Sequence, residues 1–532
     1  MSSKLFQTKS PEHLMREAEA PDRKMKRSLN VFDLTCLGIG AIIGAGIFAL
    51  AGTAAAGEAA EGGLKTPVLS FIIAWIQHTE VVLGRPGAGP AVALSFVVAA
   101  MACGFAALCY SELAAMIPVS GSAYTYSYAT LGEIIAWIIG WDLILEYAVG
   151  NMAVAVGWAG YFVQLCANFG LKFPLWLVSD YTTASTMIAK GGDALTAYSS
   201  TTLPVIAGHP IAIDLPALAI VAGVTALLVY GIRESASTNT TIVLIKVAVV
   251  VFVIAFGAFM VHPVNWQPFA PNGFGGIMSG AAIVFFAFIG FDAVSTTAEE
   301  TKNPQRDLPI GMIASLIICT VLYVLMSGVL TGIKKYTVYL GDSAAVATAF
   351  ASKPWAHALV SAGALAGLTS VLLVFQLGQP RIFMAMARDG LLPQYFARIH
   401  PRFRTPHITT IWTGVFVGGI AMLTDIGSLA DLTNIGTLFA FVLVCCGVIV
   451  LRRKDPSRPR PFRVPFVPIF PLLGVLLCFA LMLSLPIETW IRFFVWLIIG
   501  LAIYFLYSVR HSRLRHGIDT GDTEEGLPPI VP

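Results

Sequence analysis

Gly38-Ile39-Gly40-Ala41-Ile42-Ile43-Gly44-Ala45-Gly46-Ile47-Phe48 and Phe286-Ala287-Phe288-Ile289-Gly290-Phe291-Asp292 are the two stretches on which the fold turns. Each lies in a run apolar enough to cross a bilayer, and each is interrupted by glycine; Gly275, Gly276 and Gly280 precede the second. Glycine weakens a helix interior by ~1 kcal/mol relative to alanine, so such runs are where a membrane helix comes apart. Broken backbone at membrane depth is tolerated only where it is buried in protein or lines a cavity. These are the first and sixth of twelve apolar runs, five apart. Five is odd, so a chain made of two five-span halves sets the second half upside down. Corresponding interrupted helices in two inverted halves point to a binding site near the bilayer midplane. The glycines also suit close helix packing, since Gly40 and Gly44 have small-xxx-small spacing; their recurrence at positions one and six is what favours a site.

Outward from these runs, the chain is membrane protein throughout. Its 532 residues are 57% hydrophobic and only 12% charged, about half the charge of an average soluble domain at roughly 25%, and mean hydropathy is +0.78. This excludes a water-soluble enzyme. Apolar runs bounded by charge, Pro or Gly predict transmembrane helices at about 31–51, 91–117, 134–165, 215–231, 238–261, 276–298, 309–332, 356–387, 408–424, 428–451, 469–486 and 490–509. The run from Pro67 to Gln77 is too short to span and reads as an interfacial or re-entrant helix. The expectation is an all-α integral membrane protein: a cytoplasmic tail (1–30), one transmembrane domain (31–510) with outer insertions at about 59–87 and 172–210, and a cytoplasmic tail (511–532). What remains outside the spans is too small for a separate catalytic domain.

Orientation follows from Lys and Arg placement. With the N-terminus inside, 23 of the 33 basic residues fall in inner segments and seven in outer loops, so both termini are expected in the cytoplasm. The first apolar run lacks the short core and small-residue cleavage site of a secretory signal, and no presequence is expected to be removed. Eight cysteines lie in or beside apolar runs with neither CxxC spacing nor histidine partners, which fits small helix residues rather than zinc ligands. No cofactor or metal is expected, and a net charge of +3 does not imply nucleic acid.

A break at Gly44-Ala45-Gly46 exposes the N-H groups and dipole of a second half-helix, which favour an anion. A break across Ala287 to Gly290 frees carbonyls at the end of a first half-helix, which favour a cation. Facing each other, Ile42 to Ile47 and Phe286 to Gly290 would cradle a zwitterion such as an α-amino acid. Ionisable residues inside the spans are few and functional by default. Lys246 sits about 12 Å into the fifth run, where burial weakens the preference of an amine for its charged form and lets it take and release a proton; a snorkelling or paired structural lysine is the alternative. Asp142 and Glu146 share one face of the third run, Asp142 near the helix end and Glu146 deep enough to line the pocket.

The strings GIGAIIGAGIF (38–48), PVSGSAYTYSYATLGE (118–133), GWDLILEY (140–147), FFAFIGFDAVSTTAEETKNPQRDLP (285–309) and GQPRIFMAMARDGLLP (378–393) resemble the cationic amino acid transporter family of the amino acid-polyamine-organocation superfamily. The likeness covers about residues 28–510 apart from the two insertions. It implies a five-plus-five inverted-repeat core plus two C-terminal helices, in a bacterial cytoplasmic-membrane permease. It further implies a substrate carboxylate at Ile42, Ala45 and Gly46, a substrate amine at Phe286, Ala287 and Ile289, and proton coupling through Lys246. Two departures stand out. Ala45 replaces the family's frequent Thr, leaving only backbone donors for the carboxylate, and Phe375-Gln376-Leu377 replaces a more apolar stretch, so that Phe375 and Gln376 are expected to wall the side-chain pocket. Glu146 is the one deep carboxylate that could face a cationic side chain, and small neutral amino acids fit at least as well.

The leading expectation is therefore proton-coupled amino-acid import by alternating access. Exchange without net proton flux, with Lys246 permanently charged, is a second reading, and a membrane amino-acid sensor that keeps the fold is a third. No P-loop or filter motif supports a pump or channel.

Overall fold

The computed structural model describes residues 5–19, 27–58, 63–81, 83–119, 123–191, 195, 197–206, 208–231, 236–400, 402–403 and 405–516. Its body is built from helices α1 (Val31–Ile42), α2 (Val92–Met116), α3 (Glu133–Asn168), α4 (Leu215–Tyr230), α5 (Ala236–Ala258), α6 (Gly273–Val284), α7 (Pro304–Ile333), α8 (Pro354–Arg388), α9 (His407–Ala421), α10 (Ile426–Lys454), α11 (Ile469–Leu483) and α12 (Ile487–Ile503). Lys4, Arg23, Lys24, Lys26, Arg233 and Arg404 of the charge count, Ser120 to Ser122 of the second motif, parts of both insertions, and the C-terminal tail past 516 lie outside the described residues.

Among the described residues, seven helices are long and apolar enough to cross a membrane, or up to eight with the bent pair Val31–Ile42 and Gly46–Ala56 taken as one span. The twelve expected runs all become helical, but not equally. Helices α4, α9 and α11 have 16, 15 and 15 residues, and at 1.5 Å per residue they fall short of a hydrocarbon core of about 30 Å. Helix α3 is long, at 36 residues, yet Asp142, Glu146 and Asn151 dilute its apolar character. Between Pro67 and Gln77 there is a ten-residue helix, Val68–Gln77. The two insertions also carry two-stranded ladders: Gly57–Glu58 antiparallel to Arg85–Pro86, Phe173–Pro174 parallel to Tyr198–Ser200, and Val205–Ile206 antiparallel to His209–Pro210.

Burial sorts the helices into a centre and a rim. In Gly273–Glu300 the most apolar window is 83% buried, whereas in Ile487–His511 it is 22% buried. The interrupted helices are therefore the core. The rim turns Ile245, Val415, Leu476, Ile498 and Leu506 outward, a surface suited to lipid and costly in water. Around the centre, α1 and α7 pack together, α2 lies against α7 and α6, and α8 and α10 lie on α3. At the α3 end that holds Glu133, the buried carboxylate accepts from Arg515, Tyr504, Tyr128 and Ser512, while Lys9 of the N-terminal segment pairs with Asp389 at 2.9 Å. Both ends of the described chain are thus fastened to the same end of the bundle.

Helix α12 docks on α3 through tryptophans. Trp141 stacks on Trp496 with ring centroids 4.3 Å apart, and each indole donates to the other residue's carbonyl, at 2.9 and 3.2 Å. Trp137 donates to the Gly500 carbonyl at 3.0 Å. A Cβ on Gly500 would lie 2.3 Å from a Trp141 ring carbon. Gly500→Val is accordingly expected to cost about 1–3 kcal/mol by overpacking and to lower the thermal unfolding midpoint in detergent. Gly419→Val, at a glycine with open space around it, should leave the midpoint near the wild-type value; equal midpoints for the two variants would refute the docking account.

Candidate functional site

Helix α1 starts cleanly. Asn30 accepts from the N-H groups of Phe32 (2.8 Å) and Asp33 (3.3 Å), and Asp33 accepts back from Asn30 (3.1 Å), a reciprocal cap that fixes the entry of the chain. The helix ends at Ile42. Ile43 turns to extended backbone (φ −73°, ψ 100°), and helical structure resumes at Gly46 through a wide turn to Leu50 and then Ala51–Ala56, bent 42° from α1. The interruption thus begins one residue before the expected Gly44. In the second interrupted helix, α6 ends at Val284 and a tighter turn carries Phe285–Phe288. Ile289 is extended (φ −60°, ψ 134°) and Gly290 takes φ +113°, a left-handed value that favours glycine.

The two breaks lie against each other. A Cβ on Gly46 would sit 2.2 Å from the Ala287 Cα, and one on Gly290 would sit 3.0 Å from the Ala41 backbone. Gly46 is therefore required for backbone contact between the breaks. Gly44 is less constrained, its Cβ position lying 3.2 Å from a Val371 methyl. Ile42, Ile43, Ala45, Ile47, Ala287 and Phe288 are all at most 2% exposed, with Phe286 and Ile289 buried beside them.

Carbonyls released by the breaks find donors on other helices. Lys246 of α5 is fully buried and its ammonium donates to Gly40 (2.8 Å) and Ile43 (3.3 Å). Its stem passes Gly367 of α8, where a Cβ would lie 3.4 Å away. The Tyr323 hydroxyl of α7 reaches one carbonyl from each break, Ile42 at 2.8 Å and Ala287 at 3.1 Å. Asn434 of α10 donates to Ala282 (2.7 Å) and Ile283 (3.3 Å), and Tyr161 of α3 donates to Phe48 (2.6 Å). No side chain caps the helix restarting at Gly46 among the described residues, and the Phe48 N-H reaches back to the Gly44 carbonyl at 3.4 Å.

The remaining candidates fall around this centre. Phe375 packs edge-on against Tyr147 with centroids 5.5 Å apart and borders Gly150. The Gln376 amide accepts from Asn151 and donates to Thr225 at 3.2 Å, tying α8 to α3 and α4. Glu146 is buried beside Thr437 and in electrostatic reach of Asp142 and Asp292. Asp142, near Gly436, has no hydrogen-bond partner on either carboxylate oxygen. Tyr110, Phe291 and Phe441 close together with centroids 5.2 to 5.9 Å apart. Tyr323, Asn434 and Tyr161 were missed in the sequence, where the one available signal was a polar atom on an otherwise apolar helix.

An all-helical bundle centred on two touching backbone breaks defines a membrane transport protein rather than an enzyme, and the amino acid permease family matches residues 29–504. The chain belongs to that family. It is 45% identical over 516 residues to the branched-chain amino acid permease BcaP of Bacillus subtilis, covering 97% of this chain and 100% of that protein. It is 42% identical over 513 residues to the methylthioribose transporter of the same organism, covering 96% and 99%. The vacuolar cationic amino acid transporter 4 of Arabidopsis thaliana is 37% identical over 443 residues, covering 82% of this chain and 64% of that protein. The family and these relatives are permeases and transporters, and the chain is a multi-pass membrane protein of the amino acid transporters.

Even the smallest side chain at position 46 should push the breaks apart. Gly46→Ala is expected to abolish measurable amino-acid binding by the purified protein, while Gly44→Ala retains it. Wild-type affinity in Gly46→Ala would remove this contact from the site. Tyr323→Phe deletes one hydroxyl and leaves two buried carbonyls short of a donor, at about 1–3 kcal/mol; a lowered unfolding midpoint is expected, and an unchanged one would show that the hydroxyl bridges nothing of consequence.

Proposed function

We propose that this protein is a secondary active transporter that imports neutral aliphatic amino acids across the cytoplasmic membrane by alternating access, coupled to protons. Its twelve helical runs are taken as twelve spans, five plus five inverted repeats and two further helices, with both termini in the cytoplasm. The contact of Gly46 with Ala287 carries the reading. It sets the first N-H groups of one half-helix beside the released carbonyls of another, so the α-carboxylate and α-ammonium of one substrate can be held by backbone alone.

The walls argue for an apolar side chain. Ile42, Ala45, Phe286, Ile289 and Phe375 are the candidate wall residues, and all are buried. Glu146, the one carboxylate considered for a cationic substrate, shares its surroundings with Asp142 and Asp292. The most extensive likeness above is to a protein named for branched-chain amino acids. A thiosugar such as the one in the second relative's name lacks both the carboxylate and the ammonium that the breaks suit.

Lys246 is the proposed coupling group. Charged, its three donors hold α5 against two carbonyls of the first break; neutral, it holds them less firmly and lets the half-helix move. Exchange without net proton flux would instead keep Lys246 charged throughout.

Radiolabelled leucine uptake into proteoliposomes tests this reading. Uptake should rise under an inward proton gradient and fall with excess valine or isoleucine, but not with methylthioribose or arginine. Lys246→Met removes titration and Lys246→Arg keeps the charge; both should lose gradient-driven accumulation. Accumulation by either variant would make Lys246 structural, and leucine uptake insensitive to the proton gradient in the wild type would favour exchange.

A further inference from the structure

The first insertion places a buried arginine where the second half of the broken first helix ends. Residues Gly57 and Glu58 follow that half-helix directly and pair with Arg85 and Pro86 in a two-rung antiparallel ladder. From this ladder the Arg85 side chain runs inward, completely shielded from solvent. One guanidinium nitrogen lies 2.5 Å from Asp431 in the second turn of α10 and 3.6 Å from Glu58. A single cation thus joins the end of the broken helix to α10.

The cluster is far from saturated. Arg85 Nε and Nη2, Glu58 Oε1 and Asp431 Oδ1 have no hydrogen-bond partner, although an arginine has five donors to offer. Two carboxylates compete for one cation. A buried ion pair whose remaining donors and acceptors are unmet offsets its desolvation poorly, so the closed arrangement of this cluster gains little net stability from it. Glu58 in addition lines a cavity of about 90 Å³ with Thr53, Val156, Gly160, Ser343 and Ile426, which runs along the inner faces of α3 and the half-helix. Burial pushes the Glu58 carboxyl up to about 7, against the pull of Arg85 and Lys65 and with Asp431 and Asp425 pushing the same way; Glu488 adds its charge on the Arg85 side.

We propose that Arg85 is a latch on the insertion-bearing end of the central path, clamping the second half of the broken first helix to α10 when shut and freeing it when released. This rests on the alternating-access reading above. Glu58 follows the half-helix and Asp431 sits on α10, so parting these two elements breaks the pair, and protonating Glu58 removes one of the two charges that hold Arg85.

The test reads accessibility rather than transport. A cysteine at Val156 in the cavity wall is labelled with a membrane-impermeant maleimide, over the wild-type chain's own labelling. Arg85→Gln should speed labelling by at least about tenfold, since losing one member of a buried ion pair strongly destabilises the state that contains it. Labelling with Arg85 intact, divided at each pH by the rate for free cysteine because the thiolate is the nucleophile, should quicken as pH falls from about 8 to about 6, as Glu58 loses its charge. Glu58→Gln keeps the Arg85 to Asp431 pair and should remove that pH response. A wild-type labelling rate in folded, leucine-binding Arg85→Gln, or an undiminished pH response in Glu58→Gln, overturns the latch; if Arg85→Gln fails to fold, the Glu58→Gln arm decides alone. If leucine uptake is absent but labelling responds as stated, the transport reading fails and the latch stands.

Discussion

Backbone that leaves a helix inside a membrane must be paired by something other than its own helix, and that requirement organises this molecule. The breaks at Ile43 to Ala45 and Ile289 to Gly290 release carbonyls in a region without water. Four neighbours supply donors: Lys246 from α5, Tyr323 from α7, Asn434 from α10 and Tyr161 from α3. Each is buried or nearly so, and each fixes a helix relative to the centre. The surrounding bundle is in this sense a set of braces for two lengths of unwound chain.

The arrangement has consequences for motion. Packed apolar side chains can slide only in discrete steps, whereas a carbonyl can exchange one donor for another, so an element braced by hydrogen bonds has more than one defensible position. Tyr323 touches both breaks at once and couples their movements. Lys246 donates to two carbonyls of the first. At one end of the path the rings of Tyr110, Phe291 and Phe441 close together, while toward the insertions a cavity persists beside Glu58.

The sequence made the breaks legible because glycines cluster in both stretches and weaken the helix there, and Lys246 because a charge at that depth is costly. It did not reveal why Gly46 is glycine: the atom it must avoid belongs to Ala287, more than two hundred residues away in the chain. Tyr323 and Asn434 stayed hidden because a donor's target depends on how its helix is rotated, which composition does not encode. Gln376 was read as a pocket wall from its oddity in an apolar helix; that its amide meets Asn151 and Thr225, partners equally odd in their own helices, was not legible there. The pairing of Arg85 with Asp431 spans 346 residues and no local pattern announces it. Helices α4, α9 and α11 are short because the apolar runs that form them, 215–231, 408–424 and 469–486, are themselves short.

The central claim is that a zwitterionic substrate is held by the two breaks, and a structure of the protein with bound leucine tests it most directly. The account predicts the leucine carboxylate within hydrogen-bond reach of the N-H groups at Ala45 to Ile47 and its ammonium on carbonyls of Phe286 to Ile289. Leucine bound away from both breaks, for instance only in the cavity beside Glu58, would contradict it.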